Sequence, residues 1–349
     1  MIVKNEEHVI ERSLDSALPF VDSWCIVDTG STDQTIQKIH EIAKKHGKPG
    51  ILHERPWVNF GHNRTELLEL ARATPAEWFF MMDADDILMC NEPFADKLQP
   101  FDTYTITFHR GSLTYRRPAI FAAKSPWTFK GALHEYAHLD TERQATFGKL
   151  DIWVDARVEG ARSKNPNKYR DDALSLESHF QRSPDSRTAF YCAQSWRDAN
   201  ESEKAIQWYL TRTTMGGWNQ EIYVSYLNLV RLSHELEAKF KYAWASLEIC
   251  PRLEAVHSVL EYTRKLSLWS KQAFALGEAC AELQDTPTKD KDQDLFAEHV
   301  EPQFYDELSI HSFYTNHHKE AVLYGMKAYS LSPEDQRERI LKNLSFAKI

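Results

Sequence analysis

Paired cysteines are absent from this sequence. The five cysteines are odd in number, widely separated, and never form a Cys-x-x-Cys pair. A disulfide framework needs an even, regularly spaced set, and zinc or redox motifs need the close pair, so neither is predicted. Free thiols in a reducing compartment are expected instead. The five are Cys25, Cys90, Cys192, Cys250 and Cys280.

Long apolar runs and long runs of positive charge are also missing. No segment approaches the roughly 18 apolar residues of a membrane-spanning helix, and residues 1–7 lack the apolar core of a signal peptide. The formal net charge is −9, and the sequence has no block of lysine and arginine. This argues against a large electrostatic footprint on nucleic acid but does not exclude a local basic groove. We therefore predict a cytoplasmic protein without a membrane span.

An acidic cluster is the most informative feature that is present. Asp83-Ala84-Asp85-Asp86 follows the apolar run Trp78–Met82, which predicts a buried strand. Carboxylates this close together raise each other's pKa unless a positive group lies among them. A divalent cation such as Mg²⁺ or Mn²⁺ is the usual partner, and these ions favour phosphate-bearing substrates. The alternative is an ordinary acidic loop, because Asp-x-Asp alone is common.

Strands and helices alternate through the first half of the chain, which predicts a mostly parallel sheet covered on both faces. Ligands of such sheets bind beyond the carboxyl ends of the strands. Polar residues follow three of these predicted ends, at Asn5-Glu6, at Asp28 and at Asp83–Asp85. The strands are predicted at 2–3, 24–27, 51–54 and 78–82. One rim of the sheet is therefore the predicted site.

Past residue 100 the strands alternate in polarity, as strands with two different faces do. Among them lies Trp127–Glu135, an aromatic, glycine-containing loop that ends in adjacent His134 and Glu135. One interpretation is a solvent-facing strand end. The other is a metal ligand beside a general base.

The second half is predicted to be helical and repetitive. Helix-breaking triplets recur around Pro184, Pro251 and Pro333, and the first two are separated by 251 − 184 = 67 residues, close to twice 34. A period near 34 with paired helices is typical of tetratricopeptide repeats, whose small and aromatic residues fill the core. The charged stretch 286–294 interrupts the array. Such arrays bind partners, so a homodimer or a protein partner is expected.

Four motifs, in order, resemble the family 2 inverting glycosyltransferases, whose nucleotide-binding fold is called GT-A. They are MIVKNEEHVIERSL…VDSWCIVDTGSTDQT, Gly61-His62-Asn63-Arg64, Asp83-Ala84-Asp85, and Trp127…Gly131…His134-Glu135. The helical half resembles the tetratricopeptide tails of one bacterial and phage branch. The predicted fold class is therefore α/β: a GT-A (Rossmann-like) mixed-sheet catalytic domain over 1–165, then an all-α tetratricopeptide-like repeat domain over 166–349.

The resemblance implies a nucleotide site. Asp28 would accept hydrogen bonds from the nucleotide base, with Asn5 and Glu6 lining the same pocket. Asn63 and Arg64 would lie near the nucleotide, with Arg64 balancing its charge.

The resemblance also implies a metal and catalytic site. Asp83 would face the ribose or a metal-bound water, and Asp85 would bind Mn²⁺ or Mg²⁺ directly. His134 would add a metal or diphosphate contact, and Glu135 would be the base that deprotonates the acceptor. Trp127 would stack on the sugar or acceptor, with core packing as its alternative.

Two departures from the family pattern leave points open. The chain begins almost inside its first strand, so that strand is short or the chain is trimmed. Some relatives carry a histidine after the last strand of the catalytic domain, and residues 155–160 contain none. The third metal ligand is therefore open, with Asp155 or Glu159 as reserve candidates for a catalytic role.

The implied activity is a hexosyltransferase reaction on a nucleotide-sugar donor, most often a UDP-sugar in this family. The acceptor classes are a cell-surface glycan, a peptide or protein, and a hydroxymethylated phage DNA base. A sugar nucleotidyltransferase is an alternative, but a glycine-rich loop is missing from 4–7. An inactive helical-repeat adaptor is another, but the acidic cluster and His134-Glu135 are intact. A basic rim for DNA would use Arg110, Arg116, Arg117, Lys124 and Lys130.

Overall fold

The computed structural model describes residues 1–111, 113–284, 296 and 298–347. The charged stretch predicted at 286–294 lies outside them. The chain divides into two compact units, Met1–Leu176 and Glu177–Ile349. The predicted domain boundary at 165/166 stays a prediction. Across the described ranges, no helix has the length and apolar character needed to cross a membrane.

The first unit begins with a three-stranded parallel sheet. Its strands are β1 (Ile2–Val3), β2 (Trp24–Asp28) and β3 (Gly50–Glu54), in the order β1-β2-β3. Helices α1 (Ile10–Ala17), α2 (Thr35–Lys45) and α3 (Phe60–Arg72) lie between and after them. Because all three strands run the same way, their carboxyl ends meet at one edge, which we call the rim.

A five-stranded mixed sheet completes the core of this unit, in the order β4-β7-β6-β10-β5. Only β6 and β10 pair in parallel. Its strands are β4 (Trp78–Phe80), β5 (Ile87–Met89), β6 (Thr103–Arg110), β7 (Leu113–Ala122) and β10 (Phe147–Asp155). Strand β4 ends two residues before the predicted 82, although Met81 and Met82 are buried. A separate antiparallel pair is formed by β8 (Trp127–Lys130) and β9 (Tyr136–Leu139).

The acidic segment 83–86 lies beside the end of β1. Val3 of β1 and Ala84 are buried in the same apolar cluster, together with Ile10 of α1 and Ile39 of α2. Burial of such aliphatic side chains contributes about 1.5–3 kcal/mol each. The acidic segment therefore shares an apolar core with β1.

The second unit is built of helix pairs joined by short turns, with α4 spanning the division between the units. Small residues Ala189, Ala193 and Ala205 are fully buried, and so are the aromatics Trp196 and Tyr209. The predicted core role of these aromatics is confirmed. The helices are α4 (Lys168–Arg182), α5 (Ser186–Asp198), α6 (Ser202–Thr213), α7 (Asn219–Leu232), α8 (Leu236–Ile249), α9 (Glu254–Lys265), α10 (Lys271–Gln284), α11 (Glu301–Tyr314), α12 (His318–Leu331) and α13 (Glu334–Phe346).

Candidate active site

Asn5 joins the ends of β1 and β2. Its backbone N–H donates to Ser31 Oγ at 2.9 Å, and its side-chain Oδ1 accepts from Thr32 N at 2.8 Å. Asn5 has φ 56°, in the left-handed region that asparagine tolerates better than most residues. The predicted grouping of Asn5 with the loop after Asp28 is therefore present.

Asp28 is buried at the end of β2 with one oxygen satisfied and one not. Its Oδ2 accepts from Gly30 N and Ser31 N, both at 2.9 Å. Its Oδ1 is buried and has no hydrogen-bond partner among the residues that the structure describes. Buried polar atoms are almost always paired, and leaving one unpaired costs about 1–3 kcal/mol. Within the part of the chain that the structure describes, Oδ1 is therefore a buried acceptor without a partner at the end of β2.

Arg64 lies at the centre of a charged cluster. It is buried on α3, where Nη2 donates to Asp83 Oδ1 at 2.5 Å and Nε lies 2.8 Å from Glu135 Oε1. Arg117 of β7 donates from Nη2 to Asp83 Oδ2 at 3.3 Å. Burial alone raises the pKa of Asp83, but the guanidiniums of Arg64 and Arg117 outweigh it and lower that pKa below its usual value. The positive groups beside the Asp83 carboxylate are therefore these two arginines.

Asp86 is a buried member of the cluster. Its Oδ2 accepts from Asp83 N at 3.2 Å and lies 3.7 Å from Arg117 Nη2. Burial, followed by the charge of Asp83, raises the pKa of Asp86 to about 8. The turn after β4 directs this side chain inward, and residue spacing alone does not reveal that direction.

Asp85 and Glu6 meet at the loop after β10. Asp85 Oδ2 accepts from the backbone N–H groups of Glu159 and Gly160, both at 2.9 Å. Glu6 accepts from Ala161 N at 3.2 and 3.1 Å. Burial, and to a lesser degree the charge of Asp85, raises the pKa of Glu6. A Cβ atom on Gly160 would lie 3.1 Å from Glu6 Oε1 and 3.4 Å from Asp85 Oδ2, so both carboxylates border one small space.

The donor atoms at the rim fit a divalent ion at Asp85 and Glu6. Mg²⁺ typically uses one or two carboxylates together with substrate phosphates and water. Arg64 and Arg117 contact the two oxygens of Asp83, and its predicted place at the ribose or a metal-bound water stays a prediction. Within the described ranges, no group of three or more His, Cys, Asp or Glu residues is arranged to hold a metal.

The reserve candidates are engaged by arginines. Glu159 pairs with Arg12 at 2.5 Å, and Asp155 pairs with Arg157 at 2.9 Å. Both pairs are exposed to solvent, so they contribute little to the stability of the loop after β10.

The loop between β8 and β9 carries His134 and Glu135 to the cluster. Phe129 N in β8 donates to Thr65 Oγ1 on α3 at 2.8 Å. A Cβ atom on Gly61 would lie 2.3 Å from Gly131 O, so only glycine allows α3 and this loop to approach so closely. These contacts between α3 and the loop place Glu135 against Arg64. His134, the residue before Glu135, has φ 52°.

Two predicted contacts take structural roles instead. Trp127 is buried, its Nε1 donates to Asp102 O at 2.9 Å, and its ring packs edge-on against Phe121. Its predicted stacking on sugar or acceptor is corrected to core packing, because the buried ring is not accessible to a ligand. Asn63 is also buried, where Oδ1 accepts from Val58 N at 3.0 Å and Nδ2 donates to Pro56 O at 3.1 Å. Asn63 therefore holds the loop before α3.

A cleft of about 600 Å³ opens along the rim within the first unit. Its walls come from the ends of β1 and β2, from the loop before α3, and from the stretch after β10. Lining residues include Asn5, Glu6, Thr29, Trp57, Phe60 and Arg162. The volume lies in the range of small-molecule sites. Trp57 and Phe60 were not predicted from the sequence as site residues, although aromatic residues shortly after a strand end are a usable signal.

The parallel rim and its carboxylates define an α/β domain of the GT-A type, followed by an all-helical domain, and the predicted fold class is confirmed. Residues 1–104 match the family model described as Glycosyl transferase family 2. The predicted resemblance is confirmed, and with it the enzyme class, a glycosyltransferase. The match ends before the β8–β9 pair, so His134 and Glu135 lie outside it. No curated protein matches the chain.

Several solved structures share parts of this architecture. One is S. aureus TarS 1-349 in complex with UDP-GlcNAc, with 14% identity and a TM-score of 0.39, covering 77% of this chain and 91% of that chain. The complex of TarS 1-349 with UDP has 13% identity and a TM-score of 0.34, covering 85% and 96%. A thermophilic TPR protein in Thermus thermophilus has 16% identity and a TM-score of 0.30, covering 51% and 92%. At these scores the likenesses support no functional statement about this chain.

Proposed function

We propose that this glycosyltransferase moves a sugar, with inversion, from a nucleoside-diphosphate donor such as a UDP-sugar to an acceptor, with Mn²⁺ or Mg²⁺ bound. One observation carries the proposal. Asp28 with its unpaired oxygen ends a strand of the parallel sheet, Asp85 and Glu6 meet at the loop after β10, and Glu135 lies against Arg64, which also contacts Asp83. A ligand there would have an acceptor for its base, carboxylates for a metal at its diphosphate, and a proton acceptor.

The donor would lie along the rim. Asp28 Oδ1 would accept from the base, and Asp85 with Glu6 would hold the metal near the diphosphate. A bound metal would stabilise the charge of the leaving nucleoside diphosphate. Arg64 and Arg117 would hold the Asp83 carboxylate in a fixed position next to that place.

Glu135 would be the general base. Its side chain is 12% exposed and lies against Arg64, which holds the carboxylate in one position. In a single in-line displacement, the acceptor oxygen bonds to the anomeric carbon, Glu135 takes the acceptor proton, and the donor's diphosphate leaves with the bonding electrons. Inversion follows, because attack and departure occur on opposite faces.

For the acceptor, the described contacts favour a glycan or peptide over DNA. Arg117, a member of the predicted basic rim, is committed to Asp83 and its guanidinium covers the Phe108 ring at 4.2 Å. That commitment weakens the local basic groove that DNA needs. We retain a cytoplasmic location and a homodimer or protein partner for the helical unit as proposals.

Nucleotide release from a panel of nucleotide sugars, with and without Mn²⁺, tests the proposal. Release is expected from one donor, with Mn²⁺ required, and is expected to disappear in Asp85→Ala. Asp96→Ala is the matched control, because Asp96 is an exposed carboxylate in the same unit. Salt-sensitive binding to DNA would instead favour the modified base as acceptor. If the folded wild type neither binds nor turns over any nucleotide sugar, the proposal is wrong.

A further inference from the structure

Trp57 is an exposed aromatic residue that the structure holds in one place. Trp57 is 43% exposed to solvent, and it lines the cleft that opens along the rim. The loop around it is fixed by Asn63, which bonds to Pro56 O on one side of Trp57 and to Val58 N on the other. Because both bonds are made by a buried side chain, the loop position is set before any ligand arrives.

Neighbouring side chains brace the Trp57 ring. Phe60 meets it at a centroid distance of 4.8 Å and an interplanar angle of 82°. The Arg162 guanidinium lies 4.8 Å above the Phe60 ring and is paired with Asp172. Edge-to-face contacts of this kind are worth about 0.5–1.5 kcal/mol beyond simple burial. The indole is therefore a rigid wall rather than a loose surface side chain.

The position of Trp57 along the rim indicates which part of the donor it would contact. It follows β3, and Arg55 N at the end of that strand donates to Asp28 O at 2.9 Å. Strand β2 separates β3 from β1, so at about 4.8 Å per strand β3 lies about 10 Å from β1, which leads into Asn5 and Glu6. A donor whose diphosphate lies near Asp85 and Glu6 therefore places its nucleoside end toward Asp28 and Trp57.

We propose that Trp57 stacks on the base of the donor nucleoside and thereby contributes to donor selection. The inference rests on the proposed function. Asp28 would accept a hydrogen bond at the edge of the base, and Trp57 would stack on its face. One contact does not replace the other. Stacking of a base on an aromatic side chain is worth about 1–3 kcal/mol, which corresponds to a loss of about 5- to 150-fold in affinity on truncation.

Two probes separate stacking from diphosphate binding: UDP and inorganic pyrophosphate, each titrated with Mn²⁺ into the full chain. In Trp57→Ala, UDP affinity should fall about 5-fold or more, while pyrophosphate affinity stays at the wild-type value. Trp57→Phe should retain most of the UDP affinity, because a ring remains. Trp244→Ala is the control, since Trp244 is similarly exposed in the helical unit. UDP should also change the tryptophan fluorescence of the wild type, and this change should vanish in Trp57→Ala.

The possible failures are distinguishable. If the wild type binds UDP and Trp57→Ala binds it equally well, stacking is refuted while the proposed function stands. If the folded wild type does not bind UDP or any other nucleoside diphosphate, both are refuted. An equal loss of UDP and pyrophosphate affinity in Trp57→Ala, with unchanged thermal unfolding, also refutes stacking, because a base contact has no effect on pyrophosphate.

Discussion

Replacing Arg64 with alanine tests how the charged cluster is held together. The substitution removes the cation that contacts both Asp83 and Glu135. Removing one partner of a buried ion pair costs about 3–5 kcal/mol, because the remaining charge is left without compensation. The Asp83 side chain is 34% exposed and keeps Arg117, so we expect the lower end, about 3 kcal/mol. For a unit of 176 residues, this corresponds to a fall in Tm of about 6–12 °C.

Urea unfolding followed by fluorescence measures the free energy, and calorimetry measures Tm. Arg55→Ala is the matched control, because Arg55 pairs with Glu66 at a more exposed position near the same helix. Its expected cost is about 0–1 kcal/mol. Arg64→Lys should fall between the two, since lysine keeps the charge but cannot contact two carboxylates with one planar group.

The pH dependence gives a second readout of the same cluster. The folded pKa of Asp83 lies below its unfolded value, so its stabilising contribution is present above about pH 4 and is lost as pH falls toward the folded pKa. Arg64→Ala should reduce this acid-side loss. If Arg64→Ala unfolds like Arg55→Ala at neutral pH, the cluster does not stabilise the fold and the reasoning is wrong.

Three further predictions concern single positions. Because the folded pKa of Asp86 is raised, its contribution to the free energy of unfolding falls as pH rises from about 4 to about 8. Asp86→Asn should therefore flatten the dependence of the free energy of unfolding on pH, measured by urea unfolding. An unchanged pH dependence in Asp86→Asn contradicts this prediction. Gly160→Ala should weaken Mn²⁺-dependent UDP binding by calorimetry without changing Tm, because the new Cβ crowds Glu6; wild-type binding is the opposing result. Glu135→Gln should lower turnover about 100-fold or more while UDP binding persists, and retained turnover removes Glu135 as the base.

Much of the rim was predictable from the sequence because short apolar runs followed by polar residues mark strand ends. The positions of Asn5 and Asp28 follow from that pattern, since β1 and β2 run parallel and end at the same edge. Asp85 follows β4, which lies in the other sheet and pairs antiparallel with β7. Pairing across distant segments was not predictable. Arg117 reaches Asp83 only because β7 pairs with β4, and the two residues are 34 positions apart in the chain.

The direction of side chains within turns also could not be predicted from the sequence. Nothing in the spacing of Asp83, Asp85 and Asp86 indicates that Asp86 is the one turned inward. Trp127 is an instance where an aromatic residue near a polar motif belongs to the core. For Arg117 a signal did exist, because strand alternation places it on the same face as Tyr115 and Ala119, which pack on the core.

Calorimetric titration of UDP with Mn²⁺ into the wild type and Asp85→Asn tests the central claim, that a nucleoside diphosphate binds at the rim with a metal. The account predicts saturable binding at one site of the wild type, dependence on Mn²⁺, and loss of that dependence in Asp85→Asn with unchanged Tm. Binding that is equally strong without Mn²⁺, or equally strong in Asp85→Asn, would contradict the metal site. Absence of saturable binding to the folded wild type would contradict the account as a whole.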